Sequence, residues 1–365
     1  MIKINYRQDH SARTTFRCRG KYSTIGIDLG AGLVKLLQLK QARGRVHIFQ
    51  KCLFYTPEGA LSNGKIADSS SLIELLHRSK QKFKWHGNRA ALCLDSRSCY
   101  MRTVIMPPMK TGELDRAMRW EVNKHFPLPA ADAVIGYKCT AAATYNGKPA
   151  RVYLLAAAPK ETADQYTALA VKAGFNPVSL ETAPPVMLRS SLHNPRAAVT
   201  KNSAHRLIVD LGHESTGLLL VNNHGYRYHR HLNIGAASFC RAVRCAETAG
   251  RTAALQRTFS AGSLAEKGLL DVAGKLSRGI SESLEYWAGQ NAPAEIGLDA
   301  VEAGGGGIFI PGLAAFLQDQ LGLKLVLYNP FGLFTAAAGP NNSAAEQRGA
   351  LFPIAHGLAL RGWLK

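Results

Sequence analysis

The sequence contains few cysteines and no long apolar run, and these absences exclude several classes of protein. Its 365 residues include seven cysteines, an odd number, and no pair has C-x-x-C spacing. Neither a disulfide framework nor a zinc cluster is therefore expected. No apolar run approaches the roughly 18 residues of a membrane span, and residues 1–20 lack the apolar centre of a secretory signal. We expect a cytoplasmic protein.

Acidic residues are also scarce. Asp and Glu number 25 against 45 Lys and Arg, which gives a net charge of +20. This excess favours an anionic partner: nucleic acid, a membrane surface or an acidic protein. Nucleic acid is the weakest of these interpretations, because most basic residues are dispersed along the chain.

The densest basic run lies in residues 1–21, with six basic residues and one acidic residue. We predict a tail outside the fold. It is either a solvated, disordered segment or a contact to anionic lipid, where each Lys or Arg contributes about 1 kcal/mol.

The composition is otherwise that of a folded protein. Apolar residues make up 46% of the chain, which excludes a mainly disordered protein. At about 150 residues per domain, the length predicts two or three domains. The polar segment 193–203, which contains Pro195, is the best boundary, so we predict two halves at 22–195 and 204–365.

Apolar periodicity and turn residues predict an α/β protein. In the first half, strands are predicted over 24–29, 33–39, 46–55, 90–94, 99–105, 133–145, 150–157 and 178–181, and helices over 69–83, 111–125 and 160–173. In the second half, strands are predicted over 207–211, 217–221, 226–232, 299–303 and 324–328, helices over 236–248, 310–321 and 349–363, and one long helix within 263–291.

Basic and aromatic residues alternate over 224–231. Such a segment is either a stacking platform for single-stranded nucleic acid or a hairpin strand. We favour the strand, because Asn223-His224-Gly225 is a good turn sequence.

An apolar strand, the tripeptide Asp-Leu-Gly and a tight turn occur twice, at 25–35 and at 207–217. The two aspartates, Asp28 and Asp210, lie 182 residues apart, about half the chain. One copy alone is most simply a strand that ends in a turn. Two copies at equivalent places predict an internal duplication.

Each of these turns can offer backbone N–H groups to a phosphate, because glycine allows close approach. Asp28 and Asp210 could hold a magnesium ion through water molecules. A third turn at 303–307 has four glycines and is either a flexible linker or a ligand contact before a helix start. The predicted nucleotide contacts are Asp28, Gly30, Ala31, Gly32, Leu33, Lys35, Asp210, Gly212, Ser215, Thr216, Gly304, Gly305, Gly306 and Gly307.

From about Ser23 to Leu364 the chain resembles PilM, the actin-like protein family of type IV pilus assembly, which is related in fold to the division protein FtsA. The segments 25–39, 209–216 and 303–313 resemble the family's two phosphate motifs and its adenosine motif. The stretch 106–137 resembles its signature through Trp120-Glu121, Phe126-Pro127 and Tyr137, and Tyr328-Asn329-Pro330 is also typical. We interpret Trp120 as a core residue.

The resemblance implies an actin-like, ribonuclease H-like duplicated ATPase fold with MgATP between the halves. It also implies a scaffold at the cytoplasmic face of the inner membrane. There an inserted subdomain, at about 98–159, would bind the short cytoplasmic N-terminus of a PilN-like protein. Self-association is compatible with this role.

The sequence departs from the family in three places. Ala31-Gly32-Leu33 stands where serines are common, so hydroxyl donors are missing from the first turn. Gly250 stands where a lysine follows Glu247, with Arg251 as its substitute in a ribose contact. Gly136 replaces a common acidic residue.

Hydrolysis of ATP would require a group that orients the attacking water. Glu181, at a strand end between the halves, is the carboxylate that we select; the alternative is a solvated strand-end carboxylate. We expect slow hydrolysis or none. The alternative function is an active ATPase or a small-molecule kinase of the same superfamily.

Overall fold

The computed structural model describes residues 2–5, 20–42, 45–192, 205–222, 225–242, 267–290, 297–329, 349–361 and 363. Its strands are β1 (Ile2–Asn5), β2 (Ile25–Leu29), β3 (Leu33–Ala42), β4 (Arg45–Tyr55), β5 (Leu61–Ser62), β6 (Lys65–Ile66), β7 (Arg89–Leu94), β8 (Tyr100–Met106), β9 (Ala133–Tyr145), β10 (Lys148–Pro159), β11 (Asn176–Thr182), β12 (His205–Leu211), β13 (Thr216–Asn222), β14 (Gly225–Leu232), β15 (Leu298–Gly304) and β16 (Lys324–Leu327). Its α-helices are α1 (Ser69–Lys82), α2 (Thr111–His125), α3 (Lys160–Lys172), α4 (Ala183–Ser191), α5 (Ala236–Ala242), α6 (Lys267–Gln290), α7 (Leu313–Leu321) and α8 (Pro353–Ala359).

Two five-stranded sheets have the same strand order. The first is β4-β3-β2-β7-β11 and the second is β14-β13-β12-β15-β16. In each sheet, three strands form an antiparallel meander, β2-β3-β4 or β12-β13-β14. The remaining two strands run parallel to the central strand, which is β2 or β12. The repeat in the sequence is therefore a repeat of topology, as expected for a duplicated fold.

Each sheet has its own core. Helices α1 and α3 pack on the first sheet, where Leu72, Leu76 and Tyr166 are almost fully buried against β2 and β7. Helices α6 and α7 pack on the second, through residues such as Leu276 and Leu313. Within each of these helices, the buried apolar residues recur at intervals of three or four residues, which places them on one helix face.

Helices α4 and α8 lie between the two sheets. Val186 of α4 and Leu358 of α8 share one buried cluster with Ala91 of the first sheet and Leu219 of the second.

A separate contact joins the beginning of the first sheet to the residues after α8. Trp363 Nε1 donates a hydrogen bond to the Gly20 carbonyl at 2.9 Å. The residues just before β2 and just after α8 therefore lie side by side.

A third sheet, with order β1-β9-β10-β8, is formed by the segment that the sequence assigns to the inserted subdomain together with residues 2–5. Helix α2, which covers the predicted residues 111–125, packs on it through Leu114, Met118 and Val122. Trp120 falls on the opposite face and is 58% exposed. The interpretation of Trp120 as core is therefore wrong.

Strand β1 also differs from the prediction. The sequence predicts a tail outside the fold over 1–21, whereas residues 2–5 pair antiparallel with residues 142–145 of β9. Of the rest of that tail, residues 1 and 6–19 lie outside the described residues.

Three helix boundaries near the third turn and the C-terminus are corrected. The helix predicted from residue 310 begins at Leu313, because Gly306–Phe309 forms a separate 3₁₀ turn and Gly312 has a positive φ. The closing helix predicted over 349–363 is the shorter α8. Among the described helices, none is long and apolar enough to cross a membrane.

Candidate functional site

A cleft lies between the two five-stranded sheets, at the ends of β2, β7 and β12. Brought together in its lining are twelve of the residues predicted from the sequence: Asp28, Gly30, Ala31, Gly32, Leu33, Lys35, Asp210, Gly212, Ser215, Gly305, Gly306 and Gly307. Clefts at the carboxyl ends of parallel strands are the usual ligand sites of α/β proteins.

The two Asp-Leu-Gly turns have the same internal geometry. Gly30 N–H donates to the Leu33 carbonyl, and Gly212 N–H donates to the Ser215 carbonyl, at 3.2 and 2.8 Å. The turns also face each other closely, since a Cβ added at Gly32 would lie 2.9 Å from the side chain of His213. Only glycine fits there without displacing that imidazole.

The third turn approaches the same place. Gly305 has a φ of +88°, and a Cβ on it would lie 2.6 Å from Asp210 Oδ1. Glycine is thus required both by the backbone conformation and by the contact. Gly304, which was predicted as a nucleotide contact, is instead the last residue of β15 and pairs with Asp210.

Two buried carboxylates and one ammonium group form the charged centre of the cleft. Lys35 Nζ contacts Asp28 Oδ2 at 2.7 Å, and both side chains are largely buried. Burial lowers the pKa of Lys35, but the attraction of Asp28 and Asp210 outweighs it, so the pKa is raised overall. Lys35 therefore remains charged.

The negative charge of Asp210 is not fully balanced by Lys35. Burial raises its pKa to about 6, although Lys35 opposes this shift. A buried carboxylate with a raised pKa is stabilised by an added cation. The carboxylate oxygens of Asp28 and Asp210 fit a hydrated Mg²⁺. Asp28 would then contact both this ion and Lys35.

An ion-pair cluster crosses the cleft from the first half to the second. Arg97, in the 3₁₀ turn after β7, contacts Asp95 Oδ2 at 2.8 Å and Glu214 Oε2 at 2.7 Å. Asn63 N–H donates to the same Glu214 oxygen at 3.0 Å. Burial raises the pKa of Asp95, but hydrogen bonds from Arg97 outweigh it and hold that pKa below its ordinary value. We call Asp95, Arg97, Asn63 and Glu214 the cross-cleft cluster.

Sequence reasoning missed all the Asp, Glu, Arg and His side chains that line the cleft apart from the two predicted aspartates: Asp95, Arg97, His213, Glu214 and His231. Asp95 and Arg97 directly follow a buried strand, and that position is a usable signal. His231 has no such signal, because it reaches the cleft only through the pairing of β14 with β13.

Two predicted residues have other roles. Thr216 was predicted to offer its hydroxyl to a phosphate, but it is fully buried and donates to the Ile234 carbonyl at 2.6 Å. Glu181 was selected to orient water. Among the described residues, those lining the cleft do not include it. Its carboxylate instead binds Arg189 at 2.6 Å and Arg361 at 2.9 Å.

The predicted ribose contact around Glu247, Gly250 and Arg251 lies outside the described residues. Within the described part of the chain, no group of three or more His, Cys, Asp and Glu side chains is arranged to hold a metal ion. A magnesium site here would therefore depend on the two aspartates and on the ligand's own oxygens.

Comparison with solved structures gives the fold a set of relatives. A structure of the PilM-PilN type IV pilus biogenesis complex matches with a TM-score of 0.81 and 24% sequence identity, over 94% of this chain and 99% of that chain. The ethanolamine utilization protein EutJ of Carboxydothermus hydrogenoformans matches with a TM-score of 0.54 and 14% identity, over 95% of this chain and 92% of that one. MreB5 of Spiroplasma citri bound to AMPPNP matches with a TM-score of 0.51 and 13% identity, over 93% and 95% of the two chains. The chain has the actin-like ATPase fold that the sequence predicted.

The family comparison is more specific. The model of the type IV pilus assembly protein PilM family matches residues 26–363. That range includes both Asp-Leu-Gly turns, three of the four strands of the third sheet (β8, β9 and β10) and α8. The chain therefore belongs to the PilM family of type IV pilus assembly proteins.

Proposed function

We propose that this protein binds MgATP in the cleft between its halves and serves as a nucleotide-dependent scaffold of type IV pilus assembly. The observation that carries the proposal is the convergence of three glycine-containing turns on two buried aspartates, Asp28 and Asp210. Backbone N–H groups of such turns bind phosphate oxygens, and the carboxylates would hold Mg²⁺ through water. MreB5, which shares the fold, was solved with AMPPNP bound.

Each group would have a distinct part. The turns at 30–33 and 212–216 would bind the phosphates through their backbone N–H groups. Lys35 would neutralise phosphate charge while remaining paired with Asp28. In the second sheet, β12 with Asp210 lies between β13 and β15, and the turn at 305–307 follows β15. This turn therefore borders the cleft on the side of Asp210 opposite β13, where it would lie against the nucleoside.

ATP would act mainly as a switching ligand. The carboxylate selected for catalysis, Glu181, is held by two arginines, which leaves no free carboxylate at that place to orient water. We expect slow hydrolysis, with nucleotide setting the angle between the two halves.

The scaffold role concerns a membrane-protein partner. The similar chain in the PilM-PilN complex belongs to the same assembly system, and we propose that this chain likewise binds a PilN-like protein through its third sheet. It would then work at the cytoplasmic face of the inner membrane, where its net charge of +20 would favour anionic lipid.

The first experiment is a calorimetric titration of the purified full-length chain with ATP, with and without Mg²⁺, combined with a phosphate-release assay. We expect micromolar binding that depends on Mg²⁺, with little release. Asp28→Ala should weaken binding at least tenfold, whereas Asp164→Ala, an exposed aspartate on α3, should not. Absence of binding in the unmodified protein would refute the nucleotide part of the proposal.

The partner is tested separately with a fluorescent peptide that corresponds to the N-terminal segment of a PilN-like protein from the same organism. We expect the peptide to bind, with an affinity that differs between the ATP-bound and ATP-free protein. A peptide of scrambled sequence is the control, and equal binding of both peptides would contradict a specific site.

A further inference from the structure

Four residues of the second sheet form a row that opens into the cleft. In the pairing of the strands, His231 of β14 lies opposite Gly217 of β13, Gly217 lies opposite Asp210 of β12, and Asp210 lies beside Gly304 of β15. Directly paired residues present their side chains on the same face of a sheet. Asp210 and His231 therefore share a face, and between them lies a position without a side chain.

The corresponding row of the first sheet is filled. There Asp28 lies opposite Lys35, and Lys35 lies opposite Leu53. Lys35 and Gly217 thus occupy equivalent places in the two halves. In the first half an ammonium group contacts the aspartate. In the second half the equivalent position has no side chain and lines the cleft, and we call the space beside it the Gly217 niche.

The far wall of the niche carries an unsatisfied polar group. Within the described part of the chain, neither ring nitrogen of His231 has a hydrogen-bond partner, and both are buried. Buried polar atoms without partners are rare in native proteins and point to a missing ligand or water. His231 also lines the cleft, together with Gly217 and Asp210.

The charged groups that act on the pKa of His231 belong to the first half, across the cleft. Burial lowers the pKa of His231, with Asp95 opposing and Arg97 adding to the shift. The ring is therefore neutral at pH 7 and offers one donor and one acceptor. A neutral imidazole can donate to a phosphate oxygen without adding charge beside Arg97.

The order of strands places the niche at one end of the cleft. The turn at 305–307 follows β15 on one side of Asp210, and β13 and β14 lie on the other. Strands are spaced about 4.8 Å apart, so His231 lies about 10 Å from Asp210 along this direction. A nucleotide with its nucleoside near 305–307 and its metal near Asp210 would extend its last phosphate towards β14.

We infer that the Gly217 niche receives the terminal phosphate of a nucleoside triphosphate and that His231 hydrogen-bonds this phosphate. The inference rests on the proposed function and adds to it a residue that distinguishes the triphosphate from the diphosphate. His231 would act as a recognition residue for the triphosphate state of the scaffold.

The test compares the affinities of the full-length protein for MgATP and MgADP by calorimetry. His231→Ala should weaken ATP binding about tenfold, the effect of one lost hydrogen bond to a charged group, and ADP binding less than threefold. His231→Gln keeps a donor and an acceptor and should restore part of the ATP preference. His229→Ala is the matched control, because His229 lies two residues away on β14 but does not line the cleft; its ring instead bonds to Tyr226.

A second variant fills the niche without touching His231. A Cβ at Gly217 would lie 3.8 Å from Met187 Sδ, an ordinary contact distance, so Gly217→Ala should fold and should also lower the ATP preference. Thermal melting of each variant checks the fold. If the unmodified protein binds neither nucleotide, the proposed function fails. If it binds both, and His231→Ala and Gly217→Ala leave the ratio of affinities unchanged, the inference about the niche is overturned.

Discussion

At the scale of single residues, the two aspartates of the repeat differ in how their charge is balanced. Asp28 is paired with Lys35 at 2.7 Å, whereas burial raises the pKa of Asp210 to about 6. The same Asp-Leu-Gly sequence is therefore in two electrostatic environments. Asp210 is maintained at a cost to the stability of the protein, as is common at functional sites.

This difference predicts a pH-dependent effect of Asp210→Asn. Because the pKa of Asp210 in the folded protein lies above its ordinary value of 3.8, the folded chain binds a proton that the unfolded chain has lost, and the carboxylate destabilises the fold as pH rises through that range. At pH 7.5 the variant should be more stable than the unmodified protein by up to about 3 kcal/mol, while binding MgATP at least tenfold more weakly.

The measurement is denaturant unfolding at pH 7.5 and pH 4.5 without nucleotide. The gain in stability should shrink at pH 4.5, where Asp210 of the unmodified protein is itself protonated. A gain of equal size at both pH values would show that charge burial at Asp210 is not its cause.

Motif spacing identified part of the site but not all of it. Asp28 and Asp210 could be predicted, because a strand, an aspartate and a glycine turn are contiguous in the sequence. Glu214 and Arg97 lie 117 residues apart in the chain, one in each half, and meet only in the folded structure. His231 reaches the cleft from β14, which lies two strands away from β12, the strand that carries Asp210. Such contacts depend on tertiary structure, which local patterns do not encode.

At the scale of elements, α2 was predicted correctly as a helix, but its residue Trp120 was assigned to the wrong face. Its buried face follows from the periodicity of Leu114, Met118 and Val122, which are spaced by four residues. Trp120 does not share that spacing, so it faces outwards, with Lys124 Nζ 4.8 Å from the centre of its ring. The apolar character of the side chain misled the prediction, and the phase of the helix decided its position.

The exposed position of Trp120 predicts that its removal affects binding more than folding. Trp120→Ala should change the free energy of unfolding by less than about 0.5 kcal/mol, whereas Met118→Ala on the opposite face should cost about 2–5 kcal/mol. Both are measured by denaturant unfolding. Loss of the partner peptide by a stable Trp120→Ala protein would make Trp120 an interface residue, and a loss of stability like that of Met118→Ala would contradict its exposure.

The contact between α4 and α8 depends on a glycine. A Cβ at Gly357 of α8 would lie 2.2 Å from the Val186 carbonyl oxygen of α4. Gly357→Ala should therefore force these helices apart and destabilise the protein by about 1–3 kcal/mol. Thermal unfolding measures this effect.

Gly274 of α6 is the matched control, since no atom lies within 4 Å of a Cβ built there. Gly274→Ala should be neutral or stabilising by up to about 1 kcal/mol, because alanine favours helix. If Gly357→Ala were equally harmless, the two helices would not be as closely packed as described.

At the scale of the whole molecule, the two sheets repeat one topology but are not identical in role. Among the described residues, only the first half contributes strands β8, β9 and β10 to a third sheet. The cross-cleft cluster joins the halves through Arg97 and Glu214. The duplication and the overall fold could be predicted from the sequence, because they leave a contiguous repeat. The pairing of residues 2–5 with β9 could not, since four residues carry too little pattern.

The cross-cleft cluster predicts a more open molecule when it is broken. Arg97→Ala leaves Glu214 without its guanidinium partner, so the halves should separate more readily in the absence of nucleotide. Small-angle X-ray scattering should then give a larger radius of gyration than for the unmodified protein. Arg78→Ala, which removes only an exposed ion pair on α1, is the control, and identical scattering from all three proteins would argue against a closing role for the cluster.

The hydrogen bond between Trp363 and Gly20 brings together positions 343 residues apart in the chain and places the two ends of the segment 20–363 side by side. A short linker between these two residues, with new ends cut in the polar segment 193–203, would produce a circular permutant in which the second half is translated before the first. Because the two sheets have the same strand order, this rearranged chain would still present a meander followed by two parallel strands, twice over. The order in which the halves are synthesised could thus be reversed while every contact in the cleft is retained.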